Sequence, residues 1–136
     1  MATIEEAVFE RMSTYSAITT LIGTGSASRL YPLVIPQTAA LPAVAYQKIS
    51  SPKDLNHSGS SHLAHSRFQF TCAADDYSVV KTLTAAVRDC WLGFRGTVSG
   101  VRIDCCEVEN DTDTALERQA TASPVTRLDV LIWHEE

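Results

Sequence analysis

Three of the four histidines, His57, His62 and His65, fall in one short stretch, and Cys72, Cys90, Cys105 and Cys106 could join them. Those residue types make a metal centre the first chemistry to test. Zinc takes ligands at spacings such as Cys-x-x-Cys or, on a helix, His-Glu-x-x-His, and neither occurs. Cys105 and Cys106 are neighbours, so on a strand they point to opposite faces and cannot converge on one ion. Cys72 and Cys90 each lie on an apolar stripe, where a reduced cysteine packs as a small hydrophobe. Cys106 is the thiol expected to reach solvent, but Asp104 and Glu107 beside it disfavour a nucleophilic thiolate. Serine catalysis lacks a Gly-x-Ser-x-Gly turn. Gly23-Thr24-Gly25-Ser26 follows a helix, whereas a dinucleotide fingerprint must open one, and Gly93, Gly96 and Gly100 precede no Lys-Ser/Thr of a phosphate loop.

Carboxylates are the most concentrated chemical group. Asp104, Glu107, Glu109, Asp111, Asp113 and Glu117 follow one another with no basic residue between them. A general acid needs a buried carboxyl in a cleft, and this run reads as solvated, either an edge and loop or a docking surface for a basic partner. Phe68 and Phe70 could stack on bases, yet their alternation fits a core face better. No cofactor and no small-molecule substrate are expected. A small Cys/His metalloprotein or hydrolase stays as the weakest of the function classes.

Composition agrees with a non-catalytic globular domain. With 136 residues, 45% apolar and 20% charged, the chain is expected to form one domain over residues 1–136. Eleven basic and sixteen acidic side chains give a net charge of −5. Residues 1–68 carry +1 and residues 69–136 carry −6. A duplex or anionic-membrane binder normally has a basic excess, so both are disfavoured, and no sequence-specific nucleic acid is expected. No apolar run approaches a membrane span, and the start lacks a signal peptide's basic and apolar regions. A soluble protein made in the cytoplasm, with reduced cysteines, is the expectation.

The elements that must position these residues follow from periodicity. Thr3 and Glu6 fit a capping box ahead of a stripe of Ile4, Val8, Met12, Tyr15, Ile18 and Ile22, so one helix should run to the stop at Gly23 and Gly25. A strand runs from Pro42 to Ile49. Residues 50–66, rich in serine and histidine, read as a long flexible loop. Arg67 to Thr71 alternates as a half-buried strand, with Phe68, Phe70 and Cys72 on one face and Arg67, Gln69 and Thr71 on the other. A second helix, capped by Asp75 or Asp76, carries Val80, Leu83, Val87, Cys90 and Trp91 and ends at Gly93. Val101-Ile103-Cys105 with Val108, and Leu128-Val130-Ile132 with Arg127, Asp129 and Trp133 on the alternate face, complete the set. The fold class is α+β: a small antiparallel or mixed sheet of about four strands, two helices, and a long loop between the first two strands.

Several stretches, taken in order, carry a resemblance. They are Leu21-Ile22-Gly23, Arg29-Leu30-Tyr31-Pro32, Pro36-Gln37, and Leu41-Pro42-Ala43-Val44-Ala45-Tyr46 through Ile49-Ser50. After the loop come Arg67-Phe68-Gln69-Phe70, Ala86-Val87-Arg88, and Arg127-Leu128-Asp129-Val130-Leu131-Ile132-Trp133. The chain resembles the tail-completion, or tail-terminator, proteins of long-tailed bacteriophages with non-contractile tails. The resemblance implies a small sheet with two helices and a flexible loop between the first two strands. It also implies a hexameric ring on the head-proximal end of the tail tube, which stops tube growth and offers the head connector a joining surface. The implied partners are further copies of the chain, the tube protein and the head connector proteins, with the genome passing through the lumen and the virion tail as location. A head–tail connector is the nearest alternative.

Closing a ring needs one patch to meet a different patch on the neighbour. The acidic run Asp104, Glu107, Glu109, Asp111, Asp113 and Glu117 is therefore a candidate interface, with Arg29, Arg67 and Lys53 as candidate basic counterparts. Charge reversal at Asp111 and Asp113 is expected to weaken assembly and leave the monomer fold intact. In the 50–66 loop, Leu55, Asn56, His57, His62 and His65 are candidate tube contacts. The polar stretch between Glu117 and Pro124 is either a loop or an arm to a neighbour.

Overall fold

A computed structural model describes residues 3–23, 28–36, 40–50, 53–56, 59–118 and 121–135. In chain order these form α1 (Ile4–Thr14), α2 (Ser16–Ile22), β1 (Leu30–Pro32), β2 (Ala43–Ser50), β3 (Lys53–Asn56), β4 (Gly59–Ala73), α3 (Tyr77–Trp91), β5 (Gly96–Val98), β6 (Val101–Arg118) and β7 (Thr121–Glu135). The α+β class stands. Its details change: three helices replace two, and six strands in the order β1-β2-β4-β7-β6-β5, with β3 added on β4, replace about four. β1 runs parallel to β2, and every other pairing is antiparallel.

The first helix is two helices. Thr3 caps α1 by accepting the Glu6 amide at 3.3 Å. Beyond Met12 come Ser13, Thr14, Tyr15 and Ser16, all weak helix formers. The Ser13 and Thr14 hydroxyls bond back to the Glu10 carbonyl at 3.0 and 2.9 Å, and Tyr15 turns extended, breaking the rod. The apolar stripe survives the break, since Ile4, Val8, Met12, Ile18 and Ile22 are all buried. α3 begins at its Asp76 cap, which accepts the Ser78 amide at 3.1 Å, and is followed by Gly93 in a left-handed conformation.

The three helices cover one face of the sheet. Phe68, Phe70 and Cys72 from β4 and Leu128, Val130 and Ile132 from β7 are fully buried there with Val80, Leu83, Val87, Cys90 and Trp91 from α3. Phe70 stacks on Trp91 with ring centroids 6.0 Å apart. Full burial of a Leu- or Phe-sized side chain stabilises by roughly 1.5–3 kcal/mol, so the β4–α3–β7 layer is the energetic centre. Arg11 fastens α1 to it: the guanidinium donates to the Cys90 carbonyl at 3.0 and 2.6 Å and lies 3.4 Å over the Phe94 ring.

Two bulges in β6 reset its alternation. The register with β7 skips Asp104 between Ile103 and Cys105, and Glu109 between Val108 and Asn110. The first bulge sends Cys106 into the core and leaves Cys105 exposed, which reverses the expected exposure of Cys106 and the expected core place of Cys105. The second turns Asp111 and Asp113 towards α3, where simple alternation from Val108 would have placed Asn110 and Thr112.

The expected loops are strands. Lys53–Asn56 continues along the same edge of β4 as β2, with Lys53 opposite Ala64 and Asn56 opposite Gly59. Backbone pairing within a hairpin, which needs no apolar side chains, replaces the flexible loop proposed for 50–66. The acidic run lies on β6, and most of the stretch after Glu117 belongs to the β6–β7 hairpin, from Ala115 opposite Pro124 to Arg118 opposite Thr121. Pro124 is tolerated because β4 stops there: the last β4–β7 rung is Ala73 with Val125.

Candidate functional site

Outward from Cys105, β6 has a strand partner on one side only among the described residues, because β5 pairs with residues 101–103 alone. This open edge carries the acidic run, and most of its charges are engaged within the chain. Asp104 accepts from Arg102 at 2.9 Å, Glu109 from Arg67 at 3.0 Å, and Asp111 from Arg88 at 2.7 Å. Asp113 takes Lys81 at 2.7 Å, the Tyr77 hydroxyl at 2.7 Å and the Thr126 hydroxyl at 2.9 Å. Those three donors, Lys81 foremost, pull the Asp113 carboxyl down from 3.8 to about 2. Glu107 is exposed and has no ion-pair partner among the described residues.

The proposed counterparts are placed differently from one another. Arg67 reaches Glu109 of its own chain across the sheet. Arg29 donates to the carbonyls of Pro42 at 2.7 Å and Leu21 at 2.9 Å, tying the end of α2 to the start of β2. The Arg-Leu-Tyr-Pro step is thus a structural clamp. Lys53 lies on β3 and Glu117 on β6, opposite Ala64 and Ala122; the side chains of both are outside the described residues.

Two hairpins extend beyond the shared sheet in opposite directions. At one end, Leu55 opposite Ser60 and Asn56 opposite Gly59 lie past the last β4–β7 rung, Leu63 with Glu135. At the other, the four rungs from Ala115–Pro124 to Arg118–Thr121 lie past Ala73–Val125. Of the histidines, His57 lies outside the described residues and His62 is on β4 near the first arm. His65 sits on the sheet, opposite Trp133 in register and 4.5 Å from its ring. His134 is buried, 2.7 Å from the Ser66 hydroxyl. Among the described residues no three His, Cys, Asp or Glu side chains converge as metal ligands. Burial pushes the Cys72, Cys90 and Cys106 thiols up to about 12, far from a reactive range.

The sheet face opposite the helices has no layer over it among the described residues. His65, Arg67, Gln69 and Thr71 of β4 share it with Arg127, Asp129, Leu131 and Trp133 of β7. Near its β2 side the segment Leu33–Ile35 overhangs a groove of about 190 Å³, floored by Ala45, Gln47, Gln69, Thr71 and Arg127. Leu33 is held at φ 70°, and Leu33 and Val34 are 63% and 71% exposed, so an apolar lip stands out at the groove's rim. Sequence reasoning missed this feature. Pro32 and Pro36 disfavour a helix between them, but only the sheet shows which residues lie beneath the segment.

A family model described as tail completion protein gp17 matches residues 6–133. Among solved structures, a chain from the virion of a native gene transfer agent particle is similar, with a TM-score of 0.75 and 18% identity. The match covers 97% of this chain and 95% of that one, and at such identity it speaks for a shared fold. No curated protein matches the chain.

Proposed function

The chain belongs to the tail completion protein gp17 family, and from that premise we propose that it closes the head-proximal end of a phage-type tail tube. In this reading, copies of the chain assemble as a hexameric ring, end tube polymerisation and present the surface that joins the head connector. The family match across residues 6–133 carries the proposal. The shape supports it. A tube grows while each ring exposes a surface matching the next, and a chemically different ring ends it. A subunit with unlike hairpins at opposite ends of one sheet can meet the tube with one and something else with the other. The role is structural, with no catalytic step. The β3–β4 arm, with Leu55, Asn56 and His62, is the candidate tube contact.

The test is electron microscopy of a lysate in which this gene is disrupted. Overlong or headless tubes beside full, tailless heads are the expected result. Tails of normal length that fail to join heads would instead assign the chain to the connector, and normal virions would end the structural reading.

A further inference from the structure

Six large apolar or aromatic side chains stand exposed among the described residues, and four of them, Phe9, Leu33, Val34 and Ile49, gather at one margin of the sheet. Tyr46 on β2 marks the place. Its carbonyl accepts the Leu33 amide at 2.8 Å, its ring lies 6.2 Å from that of Phe9, and Ile49 follows three residues on. β1 pairs with β2 only from Val44 to Tyr46, so beyond that point no strand covers this side of β2 among the described residues. Exposed apolar residues scattered singly are ordinary, whereas a group at one edge marks a contact surface.

Leu33 carries a cost of its own. Val34 donates its amide to the Pro32 carbonyl at 2.8 Å, closing a three-residue turn with Leu33 at φ 70° in the middle. That form of the turn is rare and strained, and a bulky side chain is seldom found in it. Yet Leu33 and Val34, at 63% and 71%, are the most exposed of the six. Burial within the chain therefore does not offset the strain, and a partner covering both side chains would.

The position selects the partner. The two arms extend along the strands and occupy the two ends of the sheet, whereas this margin faces sideways, where a ring places the next copy. The opposite margin belongs to β5, the last strand in the sheet order. Just before β5, Leu92 is 59% exposed, and Arg95 is exposed with no ion-pair partner among the described residues. On the first margin Glu6 lies one turn before Phe9 on α1, also exposed and also without an ion-pair partner among the described residues. One margin is apolar with an acid and the other apolar with a base. They are different patches of one chain, as a contact that closes a ring requires.

We propose that the margin of Phe9, Leu33 and Val34 on one copy packs against Leu92 of the next copy around the ring, with Glu6 opposite Arg95. The proposal rests on the ring reading above and names the surfaces that would join its subunits.

The test uses the full-length chain assembled on tails, with copies per tail as the readout. Leu33→Gly removes the side chain and relieves the turn, since glycine adopts positive φ freely. Its thermal midpoint should equal or exceed the native value while loading falls at least about tenfold, a loss of about 1.4 kcal/mol or more. Undiminished loading would sink the proposal, and a midpoint lowered in step with loading would assign Leu33 to the stability of its own chain instead. Glu6→Arg and Arg95→Glu should each cut loading, and the two together should restore it. Loss with either and no recovery in the pair would overturn the next copy as the partner. Native tail tips without rings would overturn the ring reading itself, whereas rings that survive every one of these changes would leave that reading standing without this contact.

Discussion

Asp113 draws three donors from two elements, Lys81 and Tyr77 on α3 and Thr126 on β7, and its lowered pKa follows from them. Because the folded value lies below the ordinary 3.8, the ionised clasp stabilises the fold at neutral pH. That contribution is lost as pH falls from about 4 through about 2. A carboxyl-carbon NMR titration should show a midpoint near 2, and Lys81→Met should move it up towards 3.8. A wild-type midpoint at the ordinary value would mean that the clasp is open in solution. The same geometry amends the charge-reversal expectation. Asp111→Lys with Asp113→Lys sets like charges against Arg88 and Lys81 and should lower the thermal midpoint. Glu107→Lys should leave that midpoint within about 2 °C, as exposed substitutions away from special contacts do. If Glu107→Lys also leaves tail loading unchanged, Glu107 has no part in the interface.

At the scale of elements, the acidic run has an explanation that precedes any partner. An open strand edge is a template for unwanted pairing, and charged side chains with bulges are the usual protection. β6 carries both, with Asp104 and Glu109 at the bulges and Glu107 between them. Replacing Glu107 and Glu109 by valine should therefore raise light scattering and thioflavin binding at concentrations where the native chain stays clear. An unchanged aggregation threshold would mean that the edge is guarded by something other than charge. The helices were legible in the sequence because caps and a 3.6-residue stripe are local signals, down to Asp76 and Gly93. The break at Tyr15 was missed because the stripe continues in phase through it. The long strands were not legible: β3 and the outer part of β4 form a backbone ladder that leaves no hydrophobic pattern in their polar sequence, and a bulge leaves no mark in the alternation it resets. That is why Cys105 and Cys106 exchanged places. The acidic run is visible in the sequence as a run, but the partners of Glu109, Asp111 and Asp113 on β4 and α3 are tertiary facts. The groove under Leu33 was invisible for the same reason.

For the whole molecule, the distribution of rungs separates what folds the chain from what it offers to others. β4 has 15 residues, about 50 Å at ~3.3 Å per residue, and its pairing with β7 begins at Leu63. The core residues of β4, including Phe68 and Phe70, which stacks on Trp91, lie on the β7-paired part. The outer rungs of the β3–β4 arm lie past the last β4–β7 rung, so among the described residues only the hairpin's own ladder pairs them. Removing residues 54–61 and closing the gap with a tight turn should therefore leave the thermal midpoint within about 3 °C, since about 1 kcal/mol moves it by roughly 4 °C at this size. Tails assembled with this variant should run past their normal length if the arm is the surface that reads the tube. Tube length, measured by electron microscopy, is the deciding quantity. A normal length distribution from a variant that folds and loads would leave the arm as a surface hairpin without a partner. It would also move tube recognition to the β6 edge, where Glu107 still stands exposed.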